Sequence, residues 1–124
     1  MVTVTETIQK VKENQENRLD LPHFSLTKIP QEVFGLAHLK ELYLIHNKIE
    51  EIPKELSALT NLRVLKFSQN SIKNISSEIK NLTLLEKLSL GGNEVQNIPD
   101  EISKLSSLNY LRVCLKSFKQ AFGA

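Results

Sequence analysis

The sequence predicts an α/β solenoid, in which short strands alternate with helical return arms. Three abutting segments of 23 residues, which begin at Leu39, Leu62 and Leu85, share every apolar position of one pattern. Within each segment two apolar residues stand two apart, which is the spacing of one face of a strand. A second apolar series with a spacing of three follows, as in a helical or 3-10 return. Neither arm can bury its apolar side alone, so successive segments must stack.

Two further positions of the pattern have a physical explanation. An asparagine follows each strand, where the chain must bend: Asn47, Asn70 and Asn93. A short amide can bond the backbone groups that a bend leaves unpaired, so we expect a stacked ladder of these residues. Pro53 and Pro99 fit the first residue of a helical turn in the return arm, and Ser76 can cap the turn in the intervening segment.

We expect one domain over residues 1–124, with residues 1–15 as an N-terminal capping helix. Thr3 and Glu6 have the spacing of a capping box, and Val4, Ile8 and Val11 recur at helical spacing behind them. Such a helix would cover the apolar end of the first coil.

Residues 16–107 would form four repeats, and residues 108–124 a partial fifth repeat with a C-terminal cap. Leu108, Leu111 and Val113 begin this last repeat, but Lys116 stands where the asparagine is expected. Phe118 and Phe122 follow at helical spacing, which predicts a short terminal helix. A frayed tail is the alternative, and it would favour weak end-to-end self-association over a monomer.

The composition argues against a disulfide-rich or membrane-spanning protein and gives no support for nucleic-acid binding. The net charge of +2 is too small to indicate nucleic-acid binding on its own, and the single cysteine, Cys114, excludes an internal disulfide. No apolar run has membrane-spanning length and no signal-peptide core is present, so we expect a cytoplasmic protein. If the source is bacterial, delivery into a host cell also fits this expectation.

The repeat LxxLxLxxNxIxxIPxEIxxLxx, which covers about residues 16–113, resembles the intracellular, Ras-suppressor-type leucine-rich repeats. The resemblance implies a horseshoe segment with parallel strands on the concave face and helical or 3-10 return arms on the convex face. Proteins of that class include signalling scaffolds, the repeat regions of Roco-type GTPases, and bacterial proteins delivered into host cells. They bind other proteins on the concave face. The resemblance therefore implies a non-catalytic binding module with no cofactor.

The strand residues that do not enter the core should line this concave face. Those that we predict to contact a partner are Arg18, Glu41, Tyr43, Ile45, Val64, Lys66, Lys87, Tyr110 and Arg112. The aromatic and aliphatic members suit a protein contact, although single exposed apolar residues are common on any surface. Lys66, Lys87 and Arg112 make the later strands basic, which favours an acidic partner segment or indicates a solvated face.

The sequence is also compatible with two other functions. The basic strands would also suit an acidic ligand or nucleic acid, whose binding would weaken steeply with salt, although nucleic acid is the less favoured partner. The chain would otherwise be a structural module of a larger assembly. His23 and His46 should lie side by side at the rim, but a zinc site usually needs three or four protein ligands. We therefore predict no metal site.

Overall fold

The computed structural model describes residues 2–115 of the chain. It begins with helix α1 (Val4–Glu13) and continues with strands β1 (Arg18–Asp20), β2 (Glu41–Tyr43), β3 (Glu51–Ile52), β4 (Val64–Lys66), β5 (Asn74–Ile75), β6 (Lys87–Val95) and β7 (Tyr110–Leu115). Short 3-10 helices occupy Gln31–Gly35, Lys54–Ala58, Ser77–Asn81 and Asp100–Lys104. No helix in this part of the chain is both long and apolar enough to cross a membrane.

The main sheet is parallel, and its strands follow the order β1, β2, β4, β6, β7. Each strand pairs with the strand one repeat later, and at the first three residues of each strand equivalent positions stand opposite one another, among them Leu19, Leu42, Leu65, Leu88 and Leu111. The first four of these are fully buried. The predicted solenoid of parallel strands is confirmed, because the 23-residue period places the same side of each strand against the core.

The asparagine ladder is also confirmed. The Asn70 side-chain amide donates to the backbone oxygens of Leu44 at 2.7 Å and Phe67 at 2.8 Å, and Asn70 Oδ1 accepts from the Ile49 backbone at 3.0 Å. Asn47 and Asn93 make the equivalent bonds in their own coils. Each asparagine therefore joins its own bend to the backbone of the preceding coil.

The return arms depart slightly from the prediction. Pro53 and Pro99 stand immediately before the 3-10 helices, not at their first residue, and both have extended backbone angles. Their carbonyls accept the first bond of the turn, from the backbone of Leu56 and Ile102. At the equivalent place Ser76 caps its helix through Oγ, which accepts from the Glu78 backbone at 3.2 Å. The capping role predicted for Ser76 is confirmed.

Two features of the strands were not predicted. The expectation of one strand per repeat is incomplete, because β3 and β5 form a second, two-stranded parallel sheet outside the main one. Strand β6 is also long, and it pairs with β7 again at Val95 after an irregularity beyond Leu90. A two-residue strand has too few positions to show an apolar period, which explains why the sequence did not reveal β3 and β5.

Helix α1 begins as predicted. Thr3 Oγ1 accepts from the Glu6 backbone at 3.1 Å, and Glu6 Oε2 accepts from the Thr3 backbone at 3.4 Å. Ile8 and Val11 are buried in the same apolar core as the strands. We propose that α1 is the cap of the first coil, because these two side chains extend the leucine column past β1.

The last described coil is less enclosed than the others. Leu111 is 42% exposed, whereas the equivalent leucines in the four earlier strands are fully buried. Leu108 and Val113 are only partly buried. The predicted C-terminal helix around Phe118 and Phe122 lies outside the described residues, so the C-terminal cap remains a proposal.

The leucine column generates a first prediction. Leu65→Ala and Leu88→Ala should each lower the free energy of unfolding by about 2–5 kcal/mol, because each leaves a cavity between two coils. Leu84→Ala is the matched control, since Leu84 is 41% exposed. Chemical denaturation measures all three variants. A loss below about 0.5 kcal/mol at Leu65 or Leu88, as is usual at surface sites, would contradict this core assignment.

The asparagine ladder generates a second prediction. Asn70→Ala should cost about 2–4 kcal/mol of unfolding free energy, because it leaves one buried donor and two buried acceptors of the backbone short of a partner. Asn61 is the control: its exposed amide also bonds the preceding coil, at the Ala37 oxygen, but in reach of water. Asn61→Ala should therefore cost under about 1 kcal/mol. Equal losses for the two variants in thermal or chemical unfolding would refute the role given to burial.

Candidate protein-binding surface

The outward side chains of the main sheet form two rows, which we call the strand face. The register aligns the first row as Arg18, Glu41, Val64, Lys87 and Tyr110. It aligns the second row as Asp20, Tyr43, Lys66, Ser89 and Arg112. All the predicted contact residues except Ile45 lie in these rows, and Ile45 follows β2 as a partly buried residue. The structure thus brings them together on one surface.

Tyr43 lies at the centre of a cluster of charged groups on the first strands. The guanidinium carbon of Arg18 lies 4.1 Å from the centroid of the Tyr43 ring, and Lys66 Nζ lies 5.6 Å from it. These two cations come from the neighbouring strands β1 and β4. The Tyr43 hydroxyl donates to Glu41 Oε1 at 2.6 Å. The ring is therefore held in place, and it is less free to meet a partner than the sequence suggested.

The charges of this cluster largely neutralise one another. Arg18 pairs with Asp20 at 3.4 Å and lies 3.9 Å from Glu41. Burial raises the pKa of the Tyr43 hydroxyl above its ordinary value, and the hydrogen bond to Glu41 and the charge of Glu41 raise it further. Arg18 acts in the opposite direction, and Asp20 adds a smaller increase. The Tyr43 hydroxyl thus remains a neutral donor well above pH 7.

The later strands are different in charge. The rows on β4, β6 and β7 hold Lys66, Lys87 and Arg112 but no carboxylate. Neither Lys87 nor Arg112 forms an ion pair within the described part of the chain, whereas Arg63, at the entry to β4, lies 3.9 Å from Glu86. Val64 is partly buried and Tyr110 is 45% exposed. The strand face is therefore balanced at β1 and β2 and basic from β4 to β7.

Small residues lie beneath this basic half. Ser89 lies in the second row between Lys66 and Arg112, but it is only 6% exposed, and its hydroxyl lies 2.9 Å from the Ser68 hydroxyl. A Cβ at Gly91 would lie 3.0 Å from Arg112 Nε, so the arginine covers this glycine. The space that a side chain at Gly91 would fill is therefore occupied by Arg112. The covering of Gly91 depends on side-chain conformations that the repeat pattern does not specify.

The rim beside the strand face has a common backbone conformation. Its residues adopt the left-handed region, with φ of 57° at His23 and His46, 60° at Gln69 and 71° at Gly92. The two imidazoles lie side by side as predicted, and they are stacked with centroids 4.5 Å apart. Among residues 2–115 no group of three or more His, Cys, Asp or Glu residues is arranged to hold a metal ion. Gly92 stands at this rim position in one repeat, and glycine is the residue that most readily adopts a left-handed conformation. That glycine is the feature of the sequence from which the turn could have been predicted.

The pKa of Tyr43 generates a third prediction. Tyrosine ionisation changes the ultraviolet absorbance, so the titration curve of the wild type minus that of Tyr43→Phe isolates the Tyr43 hydroxyl. The midpoint of this difference curve should lie above the ordinary tyrosine pKa of about 10. The folded state holds this proton more tightly than the unfolded state. Its contribution to stability is therefore complete below about pH 10 and is lost as pH rises through the folded pKa.

Glu41→Gln provides the control for that titration. It removes the charge that raises the pKa, so the midpoint should move down toward the ordinary value. A midpoint at or below about 10 in the wild type would contradict the burial and hydrogen bond described for the hydroxyl.

Comparison with known proteins agrees with this geometry. The family described as a leucine-rich repeat region matches residues 15–122. No curated protein sequence matches the chain significantly. A solved leucine-rich repeat protein of Leptospira interrogans is 25% identical with a TM-score of 0.66, over 90% of this chain and 34% of that one. The leucine-rich repeat domain of APL1B is 18% identical with a TM-score of 0.73, over 93% of this chain and 37% of that one.

This chain thus spans about a third of the length of either solved chain. The likeness to APL1B shows the fold alone, and the Ras-suppressor-type class stays a prediction. Leucine-rich repeat domains are typically non-enzymatic and generally mediate contacts between proteins. The repeat pattern, the parallel register and the match over residues 15–122 lead to one conclusion: the chain belongs to the leucine-rich repeat family.

Proposed function

We propose that the chain is a non-catalytic module that binds a partner protein on its strand face, as in a cytoplasmic signalling scaffold or a bacterial effector-type adaptor. The observation that carries the proposal is the unpaired basic half of that face. Lys87 and Arg112 project from adjacent strands with no ion pair among the described residues. Unneutralised charge on an ordered surface favours a partner of opposite charge.

Apolar contact is available beside these charges. Tyr110 stands opposite Lys87 in the first row and is 45% exposed, whereas Tyr43 is held by Arg18 and Glu41. We therefore move the aromatic anchor of the proposed contact from Tyr43 to Tyr110. Exposed tyrosine contributes large contact area at a small cost in side-chain entropy. With Val64, the first row on the later strands has an apolar, a basic and an aromatic side chain in order across the sheet: Val64, Lys87 and Tyr110.

The Tyr43 cluster then has a different part in binding. Arg18, Glu41 and Tyr43 restrain one another through the contacts described above, so little side-chain entropy is lost when a partner covers them. We propose that this cluster is a preordered border of the binding surface, and that the acidic segment of the partner lies over β4, β6 and β7.

The alternative is binding of a non-protein anion or of nucleic acid by the same basic half. Lys66, Lys87 and Arg112 favour it, but Val64 and Tyr110 between them favour a protein. The steepness of the salt dependence distinguishes nucleic acid, since binding through many backbone phosphates weakens more steeply with salt than a protein contact that also has apolar area at Val64 and Tyr110. A purely structural role, with self-association through the exposed Leu111 coil, would instead appear as a concentration-dependent mass in sedimentation.

The proposed contact generates a fourth prediction, tested on a partner isolated with the wild-type chain. Lys87→Glu should slow association several-fold because it removes electrostatic steering, and Tyr110→Ala should mainly speed dissociation. The matched control is Lys54→Glu, the same charge reversal in a return arm. Surface plasmon resonance separates the two rates.

All three substitutions change exposed side chains, so circular dichroism should find the fold intact. Loss of binding in Lys54→Glu, with Lys87→Glu and Tyr110→Ala unchanged, would move the contact to the return arms and refute the proposal. Equal loss in Lys54→Glu and Lys87→Glu, with Tyr110→Ala unchanged, would show that bulk charge, not the strand face, governs the interaction.

A further inference from the structure

Two polar side chains converge on the glycine pair in β6 from opposite sides. Arg112 reaches back from β7 over Gly91, where a Cβ would lie 3.0 Å from its Nε and 3.6 Å from its Cζ. Gln69 reaches forward from the bend after β4 over Gly92, where a Cβ would lie 2.6 Å from its Nε2. The missing side chains at Gly91 and Gly92 are what allow both groups to lie against the backbone.

These two groups present donors that the described residues do not use. Neither the Arg112 guanidinium nor the Gln69 amide has a hydrogen-bonding partner within residues 2–115. Both residues are exposed. A guanidinium carries five N–H donors in a planar fork and a primary amide carries two. The two side chains therefore direct several free donors over one small area of the strand face.

A hydroxyl pair lies next to this area. Ser68 and Ser89 are 2.9 Å apart through their Oγ atoms, so one hydroxyl donates to the other. The second hydroxyl hydrogen is then left for another acceptor. Ser89 is buried and Ser68 is only half-buried, so Ser68 is the more accessible hydroxyl of the pair.

Among the row residues on β4, β6 and β7, every charged side chain is positive. Lys66 and Arg112 flank Ser89 on the two neighbouring strands, and Lys87 precedes it by two residues on the same face. Lys66 Nζ lies over the Tyr43 ring at 5.6 Å, but such a contact is weak at an exposed site and a lysine stem turns easily. The register therefore places three cations around this part of the strand face.

Resting on the proposed function, we propose that this donor set binds the phosphate of a phosphorylated serine or threonine on the partner protein. A phosphate monoester carries close to two negative charges at pH 7 and three terminal oxygens. The planar Arg112 fork can bind two of those oxygens, which leaves acceptor sites for the Gln69 amide and the Ser68 hydroxyl. A carboxylate would offer only two oxygens and half the charge to the same donors.

The test is a titration of the full chain with O-phosphoserine, followed by amide chemical shifts in NMR. Saturable shifts should centre on Ser89, Gly91 and Gly92, whereas glutamate and serine should bind at least about tenfold more weakly. Arg112→Gln should weaken phosphoserine binding about tenfold. Arg63→Gln removes the same charge from the entry to the strand next to β6, and it should leave binding unchanged.

Gly91→Ala distinguishes geometry from bulk charge. Its methyl group would occupy the place of the Arg112 side chain without altering any charge, so phosphoserine binding should weaken as it does in Arg112→Gln. Gly91 has no left-handed backbone angle, so alanine fits the fold. Unchanged binding in Gly91→Ala, or equal weakening in Arg63→Gln, would overturn the proposal.

Two further arms identify the source of the anion. Treating the isolated partner with a phosphatase should weaken its binding to the wild-type chain but not to Arg112→Gln. If phosphoserine fails to bind while the untreated and treated partners bind the strand face equally, this inference is wrong and the proposed function stands. If a thymidine oligonucleotide binds more tightly than phosphoserine, with a steep dependence on salt, the site is a nucleic-acid site instead.

Discussion

The buried asparagine amide at the bends of the three central repeats is the interaction on which the fold depends. Asn47, Asn70 and Asn93 each accept a backbone N–H and donate to backbone carbonyls of their own coil and of the coil before it. Leucine packing holds the coils together without fixing their rotation, because it is not directional. The amide bonds are directional, and they set each coil in register with the last.

That register determines the surface on which we propose binding. Since strands β1, β2, β4, β6 and β7 are aligned residue by residue, the side chains not needed for the core must fall into rows. Charge differences between repeats then become charge differences along a row. The neutral Tyr43 cluster and the basic area around Gly91 are two ends of one surface because each repeat departs from the shared pattern in its own way.

The sequence predicted the rows and the core because both follow from the period of the apolar residues. It did not predict how Arg18 and Glu41 restrain Tyr43, how Arg112 covers Gly91, or why Ser89 is buried, since these depend on side-chain conformations across strands. The extra pairing of β3 with β5 was missed for a different reason, as two residues per strand carry no period. The repeat pattern predicts the backbone, whereas the proposed binding surface is formed by residues that differ from one repeat to the next.

The even spacing of the strands also limits what kind of chain can lie across them. Neighbouring strands are about 4.8 Å apart, whereas an extended peptide advances about 3.3 Å per residue and shows the same side every two residues. The two intervals do not match, so side chains of a crossing peptide come into step with the strands only about every fourth strand. Such a surface selects a ligand by the distance between its two anchoring side chains and is insensitive to the identity of the residues between them.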